Sequence, residues 1–549
     1  MRIPPAEQDE PVSAGSGPSS ASSPEVARQA QSGVALRILV FVAGVVSLAL
    51  EMSAPRLLAP YFGTDLFVWA NVIGLFLIYL ALGYFLGGRV ADRHPDYRLL
   101  CTLTAIASVG IATIPFLSKP VLDWSVQGIN TANAGIFFGS MLSVMLLFSV
   151  PVTLLGFVSP FAIRLSVDAI GSSGSRAGGL YALSTAGSIV GAFLPVLVVI
   201  PAWGVQRTLL AASVSLLAVS LWGLDYVLPW RSIRKVRVRW PLGVFGAILL
   251  VPLMLPQVAP LGPLKQIPGL IYYQESLYNY IQVVRGSDGT LQLVLNEGQA
   301  IHSVYNPQHV LTGWYWDYFL AAPYFYPDMS AQPVHRVAIV GLAGGTIARQ
   351  FTAVYGPIPI DGVEIDPAIV AVGQRYFDMR EPNLHVYVAD GRTFMRTTKQ
   401  TYDVVAIDAF QQPYIPFQLT TKEFFEEIRS HLSDRGVICL NTGHTRTDYR
   451  LVQAFVNTLR QVFPSVYTFN VPGTFNTEVM ATVQPTSLAT FRANLEAAAP
   501  GSRMSVVASE VLPVAQVAHA EPGGIVFTDD RAPIEQLTDQ LILNYVQQR

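Results

Sequence analysis

Seven stretches of this chain are too long and too apolar for a water-soluble core, and they decide what its first half can be. They run over roughly 35–57, 67–88, 99–118, 134–163, 178–201, 206–229 and 241–259. Most reach the roughly 20 apolar residues that carry a helix across a bilayer. Lipid offers backbone N–H and C=O groups no partner, so segments of this length must bond internally, as helices. A composition of 51% hydrophobic and 13% charged residues agrees with a membrane protein. The last run holds Pro241, Pro252 and Pro256 and is the least helix-like, so about seven or eight spans are expected over 35–260. Ser184, Gly187, Ser188 and Gly191 form a small-residue face that permits close helix packing in lipid.

Loop charge gives the spans a direction. If they alternate, Arg28, Arg37, Arg89, Arg93, Arg98, Arg164, Arg176 and the cluster Arg231, Arg234, Lys235, Arg237 and Arg239 share one side. Arg56, Lys119 and Arg207 lie on the other. The positive-inside rule then places the N-terminus in the cytoplasm of a multi-pass cell (inner) membrane protein. Seven crossings would leave everything after residue 260 outside, whereas a domain using a cytosolic co-substrate is expected inside. A re-entrant segment or two merged spans would reconcile these and are favoured; the remaining alternative is that the domain is external. Glu51 lies at membrane depth and is a candidate functional group; the plain alternative is an ion pair with Arg56 that locks helices.

Residues 1–34 are rich in Ser, Pro, Gly and Ala and read as a disordered tail, with no cleavable apolar region ahead of the first span. The net charge of -2 and the lack of a basic stripe give no reason to expect nucleic acid. Cys101 and Cys439 stand far apart as lone thiols, so neither a disulfide framework nor a metal site is expected.

After residue 262 the pattern shortens. Residues 262–335 form a small β-rich region and connector, with hairpin strands near 270–273, 280–284 and 291–295 around the turn Ser287-Asp288-Gly289. From 336 to 549, strands alternate with helical patterns. Strands are expected at 336–340, 359–364, 384–388, 403–407, 436–440, 465–469 and 478–483, and helices near 345–355, 367–378, 392–398, 420–432, 447–462 and 486–498. That alternation predicts a parallel, doubly wound Rossmann-like sheet. The apolar run Val337–Val340 breaks into a turn with Gly341, Gly344 and Gly345, and a second run ends on Glu364, with Asp366 two residues later. This order suits an adenosine-containing ligand whose ribose hydroxyls meet the acid.

Two more acids follow at strand ends: Asp390, before Gly391, and Asp408. Singly, Asp390 could be a turn and Asp408 a helix cap. Together they favour a methyltransferase-type site for an adenosyl sulfonium over a nicotinamide site, which has no use for them. A sulfonium is a permanent cation and an amine nucleophile arrives protonated. Carboxylates favour both, and one can take the proton that must leave before attack. The loop Phe410–Phe417 is apolar and proline-stiffened, either a lid over the acceptor site or a rigid connector.

These residues carry a resemblance. Residues 270–540 resemble the spermidine synthase family (polyamine aminopropyltransferases), closest to its membrane-fused bacterial branch. The matching pieces are Glu275–Ile281, Leu295–Gln299, Gly341–Thr346, Val363–Pro367, Asp390–Arg392, Tyr402–Asp408 and Phe527–Glu535. In the membrane part they are Glu51–Gly63, Gly83–Gly88 and Tyr181–Ser188. The resemblance implies aminopropyl transfer from decarboxylated S-adenosylmethionine, a co-substrate rather than a bound cofactor, to a small amine such as putrescine, releasing methylthioadenosine. It implies Glu364 at the ribose, Asp390 at the adenine, Asp408 deprotonating the amine, and Gln299 and Tyr278 closing the pocket. The expected partners are thus an amine and the lipid bilayer, with a homodimer left open. Four positions depart from the soluble members: Ala343 and Gln411 replace acids, Asn279 replaces Gln, and no Tyr-His-Glu acceptor motif occurs near Tyr305 or Tyr315. Two readings therefore stay open beside aminopropyl transfer: methyl transfer from S-adenosylmethionine, and a polyamine transporter or sensor with a non-catalytic nucleoside-binding domain.

Overall fold

The computed structural model describes residues 24–63, 66–132, 135–166, 173–227, 261–296, 298, 300–327, 333–410 and 414–547. The first half is helical: α1 Pro24–Phe62, α2 Leu66–Arg93, α3 Tyr97–Ala132, α4 Gly135–Gly156, α5 Val158–Ser166, α6 Ser173–Leu194, α7 Ile200–Trp203 and α8 Val205–Val227. Helix α1 begins at Pro24, about ten residues before the end of the stretch whose composition reads as a tail. Among the described residues six helical stretches are long and apolar enough to cross a membrane. The run 134–163 is one of them, bent between α4 and α5; α6 continues through a π-helical turn, Pro195–Val199, into α7 as another. These six correspond one to one with the first six apolar runs, so none of those runs holds two spans. The proline-bearing run 241–259 lies outside the described residues.

Small residues set the helix spacing. A Cβ on Gly187 would strike the backbone oxygen of Phe41, and one on Gly191 that of Val45, so α1 and α6 touch backbone to backbone. Gly83 does the same for α2 against Thr153 of α4. Buried hydroxyls and amides tie the remaining contacts, as in Ser213 Oγ to Ser108 O at 2.7 Å and Asn71 Nδ2 to Ser140 Oγ at 2.9 Å. Such bonds matter where the alternative is an unpaired dipole in hydrocarbon.

The second half holds two sheets. The first is an antiparallel meander of β1 Leu270–Glu275, β2 Tyr280–Arg285, β3 Leu291–Leu295 and β4 Ile301–Tyr305. A 3-10 segment, Tyr315–Phe325, follows. The second sheet contains β5 Val337–Val340, β6 Ile360–Glu364, β7 Leu384–Val388, β8 Tyr402–Ile407, β9 Leu432–Gly443, β10 Ser465–Asn470, β11 Asn476–Thr482 and β12 Ala515–Val517. Helices α9 Thr346–Tyr355, α10 Pro367–Tyr376, α11 Gly391–Thr397, α12 Lys422–Ser430, α13 Arg450–Leu459, α14 Leu488–Glu496, α15 Arg503–Val511 and α16 Ile534–Gln547 accompany it. Its order is β12-β10-β11-β9-β8-β5-β6-β7.

The sheet is mixed rather than wholly parallel. β7, β6, β5, β8 and β9 run parallel, but β11, β10 and β12 pair antiparallel. The cause is local: β10 and β11 are joined by Val471–Phe475, too short for the crossover a parallel pair needs. Strand order reverses between β5 and β8, the switch point at which open sheets of this kind form a crevice. Apolar cores fill both faces, one around Trp316, Phe325 and Phe351, the other around Tyr402, Phe424 and Phe455.

The halves meet at one end of the bundle. Tyr61 near the end of α1 donates to Leu264 O at 3.0 Å, and Arg56 donates to Leu277 O. The first amide of α8, Val205 N, donates to both carboxylate oxygens of Glu275 at 3.0 Å. Arg56 therefore reaches the second half of the chain, not Glu51, for which no ion pair occurs among the described residues. The end of α8, Val227, lies about 33 Å along its axis from this junction at 1.5 Å per residue.

Because the α1–α6 contact leaves no room for a methyl group, Gly187→Ala is expected to destabilise the detergent-solubilised protein by about 1–3 kcal/mol. Thermal unfolding should show this beside Gly74→Ala, whose new methyl would enter open space and leave the midpoint unchanged.

Candidate active site

Strand register builds the site. Val340 pairs with Val363 and Ile407, Ile407 with Leu440, and Asn441 with Glu478, while Glu364 pairs with Val388. One step further along the strands, Glu364, Gly341, Asp408, Asn441 and Glu478 stand in one row across the sheet's carboxyl edge. Neighbouring strands lie about 4.8 Å apart, so Asp408 is about 10 Å from the positions of both Glu364 and Glu478.

Glu364 is buried, and its carboxylate accepts from Ala343 N at 2.9 Å and Asp366 N at 3.1 Å. Burial pushes its carboxyl up to about 7 against the pull of those amides. Gly341 has φ 90° and its Cβ would strike the backbone of Asp408 and Ala409, so glycine is what allows β5 to end beside β8. Gly344 and Gly345 press on Ser303, Phe377 and Met379, again protein rather than open crevice. Ala343 takes φ 48° and aims its N–H at Glu364.

Asp408 is held from two directions. Tyr315 OH and Trp316 Nε1 donate to one oxygen at 3.2 and 3.1 Å, and Asn441 Nδ2 donates to the other at 3.1 Å. Burial raises its carboxyl to about 6, opposed by these three bonds. Its role is not that of a helix cap. Asp390, half-buried, does cap α11 by accepting from Thr393 N at 2.8 Å. One of its oxygens suffices for that. Gly391 beside it is buried against Val340.

Asp366 differs from the other acids. It caps α10 through Ala368 N at 2.9 Å, and its second oxygen accepts from Ser276 Oγ at 2.5 Å and Asn279 Nδ2 at 3.1 Å. Both oxygens are thus engaged by protein, tying the β1–β2 turn to the end of β6. Tyr278, in that turn, is 39% exposed. Gln299 and Gln411 lie outside the described residues. The Phe527–Glu535 motif closes on the same edge: Asp529 pairs with Arg392 at 2.6 Å, and Arg392 also holds Glu427 at 2.9 Å. In the loop after Asp408, Tyr414 donates to Asp539 of α16, which fixes that end as a connector.

Glu478 was not singled out in the sequence. It is 0% exposed, neither oxygen has a hydrogen-bond partner among the described residues, and burial together with Asp408 pushes its carboxyl well above the usual range. Its signal was a lone charge within the apolar strand around Val479 and Met480. Asn441, Tyr315 and Trp316 were missed as well, because their role exists only through the sheet register. Among the described residues no cluster of metal-ligating side chains occurs.

The chain is similar to known proteins. The spermine/spermidine synthase domain profile matches residues 326–492. The chain is 34% identical over 296 residues to a probable polyamine aminopropyl transferase of Bifidobacterium longum, covering 50% of this chain and 64% of that protein. It is 31% identical over 218 residues to a polyamine aminopropyltransferase of Vibrio vulnificus, covering 37% of this chain and 68% of that one. The crystal structure of a probable spermidine synthase from Corynebacterium glutamicum aligns at 20% identity with TM-score 0.39, over 49% of this chain and 98% of the other. The chain thus spans just under two thirds of the length of the Bifidobacterium relative.

A site that binds a sulfonium donor at Glu364 and an amine at Asp408 would need both acids ionised. Turnover per encounter, kcat/KM, is therefore expected to fall as pH drops through about 7 to about 6, the free-protein values of Glu364 and Asp408. A cationic ligand favours the carboxylates, so the corresponding limb in kcat should lie at lower pH. Matched pH–rate profiles check both, and a flat acid limb contradicts the assignment.

Proposed function

The chain belongs to the spermine/spermidine synthase family, and on that premise we propose that it is a membrane-held aminopropyltransferase acting on a small diamine. The observation that carries this reading is the in-register row Glu364–Gly341–Asp408–Asn441–Glu478. A donor ribose fits Glu364 and its adenine amino group Asp390, which leaves the sulfonium facing Asp408. The amine sheds its proton to Asp408, and its lone pair then attacks the carbon next to the sulfonium from the side opposite sulfur. The carbon–nitrogen bond forms as the carbon–sulfur bond breaks, its electron pair leaving with methylthioadenosine. Tyr315, Trp316 and Asn441 hold the carboxylate in place and cost no reorganisation at the moment of transfer.

Glu478 supports a diamine. A buried carboxylate without a partner is costly unless neutral or met by a cation. About 10 Å from Asp408 leaves room for a nitrogen bonded at each end with a short methylene chain between. In this reading Glu478 supplies, from another strand, the second acid that Gln411 lacks. Incubating purified protein with each sulfonium donor and with monoamine or diamine acceptors tests the proposal. Methylthioadenosine released only with the decarboxylated donor, and faster with the diamine, is expected. S-Adenosylhomocysteine alone would mean methyl transfer, and no turnover with either donor would favour the transporter or sensor.

The same reading places the catalytic domain. Its docking contacts lie at the C-terminal end of α1 and the N-terminal end of α8, opposite the end where α8 finishes. Loop charge puts the N-terminus inside, so the catalytic domain sits outside the cytoplasm. The cytoplasmic expectation rested on co-substrate supply, not on the chain itself. A compartment-sensitive reporter fused at residue 265 is expected to read external; a cytoplasmic signal overturns this placement.

A further inference from the structure

The turn between β1 and β2 is held on two sides. On one side stand the ends of two membrane helices. Arg56 of α1 donates to Leu277 O, and the first amide of α8 donates to the Glu275 carboxylate, which also lies within electrostatic reach of Arg56 and Arg207. On the other side stands the nucleoside crevice. Ser276 and Asn279 bond Asp366, and Asp366 N donates to Glu364 Oε1. Five consecutive residues, Glu275 to Asn279, thus connect the end of the bundle to the ribose carboxylate, with Tyr278 exposed between the two anchors.

We propose that Arg56 and Glu275 are positioning residues for the sulfonium donor, so that the membrane domain completes the donor pocket as well as anchoring it. The inference rests on the reading of Glu364 as the ribose acid. The physics is that of a clamp. A surface turn of five residues has many conformations, and closing it on a ligand costs ordering entropy. Here that ordering is done in advance. A guanidinium bonded to one of its carbonyls fixes one half, and a carboxylate received by a helix N-terminus fixes the other. Gly204 belongs to the same arrangement: it has φ 82°, and a Cβ there would press on Glu275 Oε1. Removing the membrane-side bonds leaves the Leu277–Tyr278 part of the turn to be ordered by the donor itself, so donor affinity falls while the reacting atoms at Asp408 are untouched.

The test uses full-length protein in detergent or nanodiscs. Arg56→Ala, Arg56→Lys and Glu275→Gln are compared with the natural chain and with Phe193→Ala, a change on an exposed bundle position. Two quantities are read: the KM of the decarboxylated donor beside kcat, and the equilibrium Kd of methylthioadenosine. Arg56→Ala is expected to raise both KM and Kd about tenfold, the effect of one charge-assisted hydrogen bond, with kcat within about twofold. Arg56→Lys should recover part of the loss, because a point charge still reaches Leu277 O. If Arg56→Ala does not fold, Glu275→Gln carries the test, since it removes charge but little shape. Variants whose Kd and KM match Phe193→Ala overturn the inference and leave the functional reading intact. Equal loss in kcat and kcat/KM also overturns it. A natural chain that binds no nucleoside overturns both.

Discussion

The register that brings Glu364, Asp408 and Glu478 to one edge of the sheet is the constraint from which the rest follows. Backbone hydrogen bonds between β6, β5, β8, β9 and β11 place these carboxylates at intervals of two strands. No side-chain choice could do that alone. Once placed, the acids are costly: each is desolvated, and their carboxyls rise above the ordinary range. The surrounding protein offsets the cost at Glu364 with two amides and at Asp408 with three donors, but no hydrogen bond among the described residues reaches Glu478. That asymmetry marks where a cationic ligand would contribute most.

The membrane domain makes sense against this edge. Its helices pack through glycines at backbone contact distance, which makes the bundle a stiff support. Its two ends nearest the catalytic half grip the turn that also bonds Asp366. In the proposed reading the fusion of the two halves would be mechanical at the donor site, with the chemistry on the sheet.

Much of this was legible in the residues, for particular reasons. The apolar runs announced helices because no other backbone survives in lipid, and the strands at 337, 360, 384 and 402 because each ended on a turn or an acid. Glu364, Asp390 and Asp408 could be picked out because strand ends are where such sheets bind ligands. What could not be read depended on register. The antiparallel half of the sheet looked like more of the same alternation. Asp366 read as a ligand acid because sequence does not reveal that Ser276 and Asn279, some ninety residues earlier, occupy its free oxygen. Ala343 and Gln411 stand where soluble members carry acids; sequence does not reveal that the Ala343 amide bonds Glu364 or that another acid, Glu478, stands in the same row. The segments at 503–511 and 534–547 carry too short or too mixed a pattern to have been read as helices.

The proposed function puts an adenosyl sulfonium against Asp408 in one crevice between β6 and β8. A structure of the full-length protein with methylthioadenosine bound tests it most directly. The account predicts ribose hydroxyls on Glu364, adenine beside Asp390 and the thioether sulfur turned toward Asp408. A nucleoside lodged elsewhere, or one whose sulfur points away from Asp408, would contradict it.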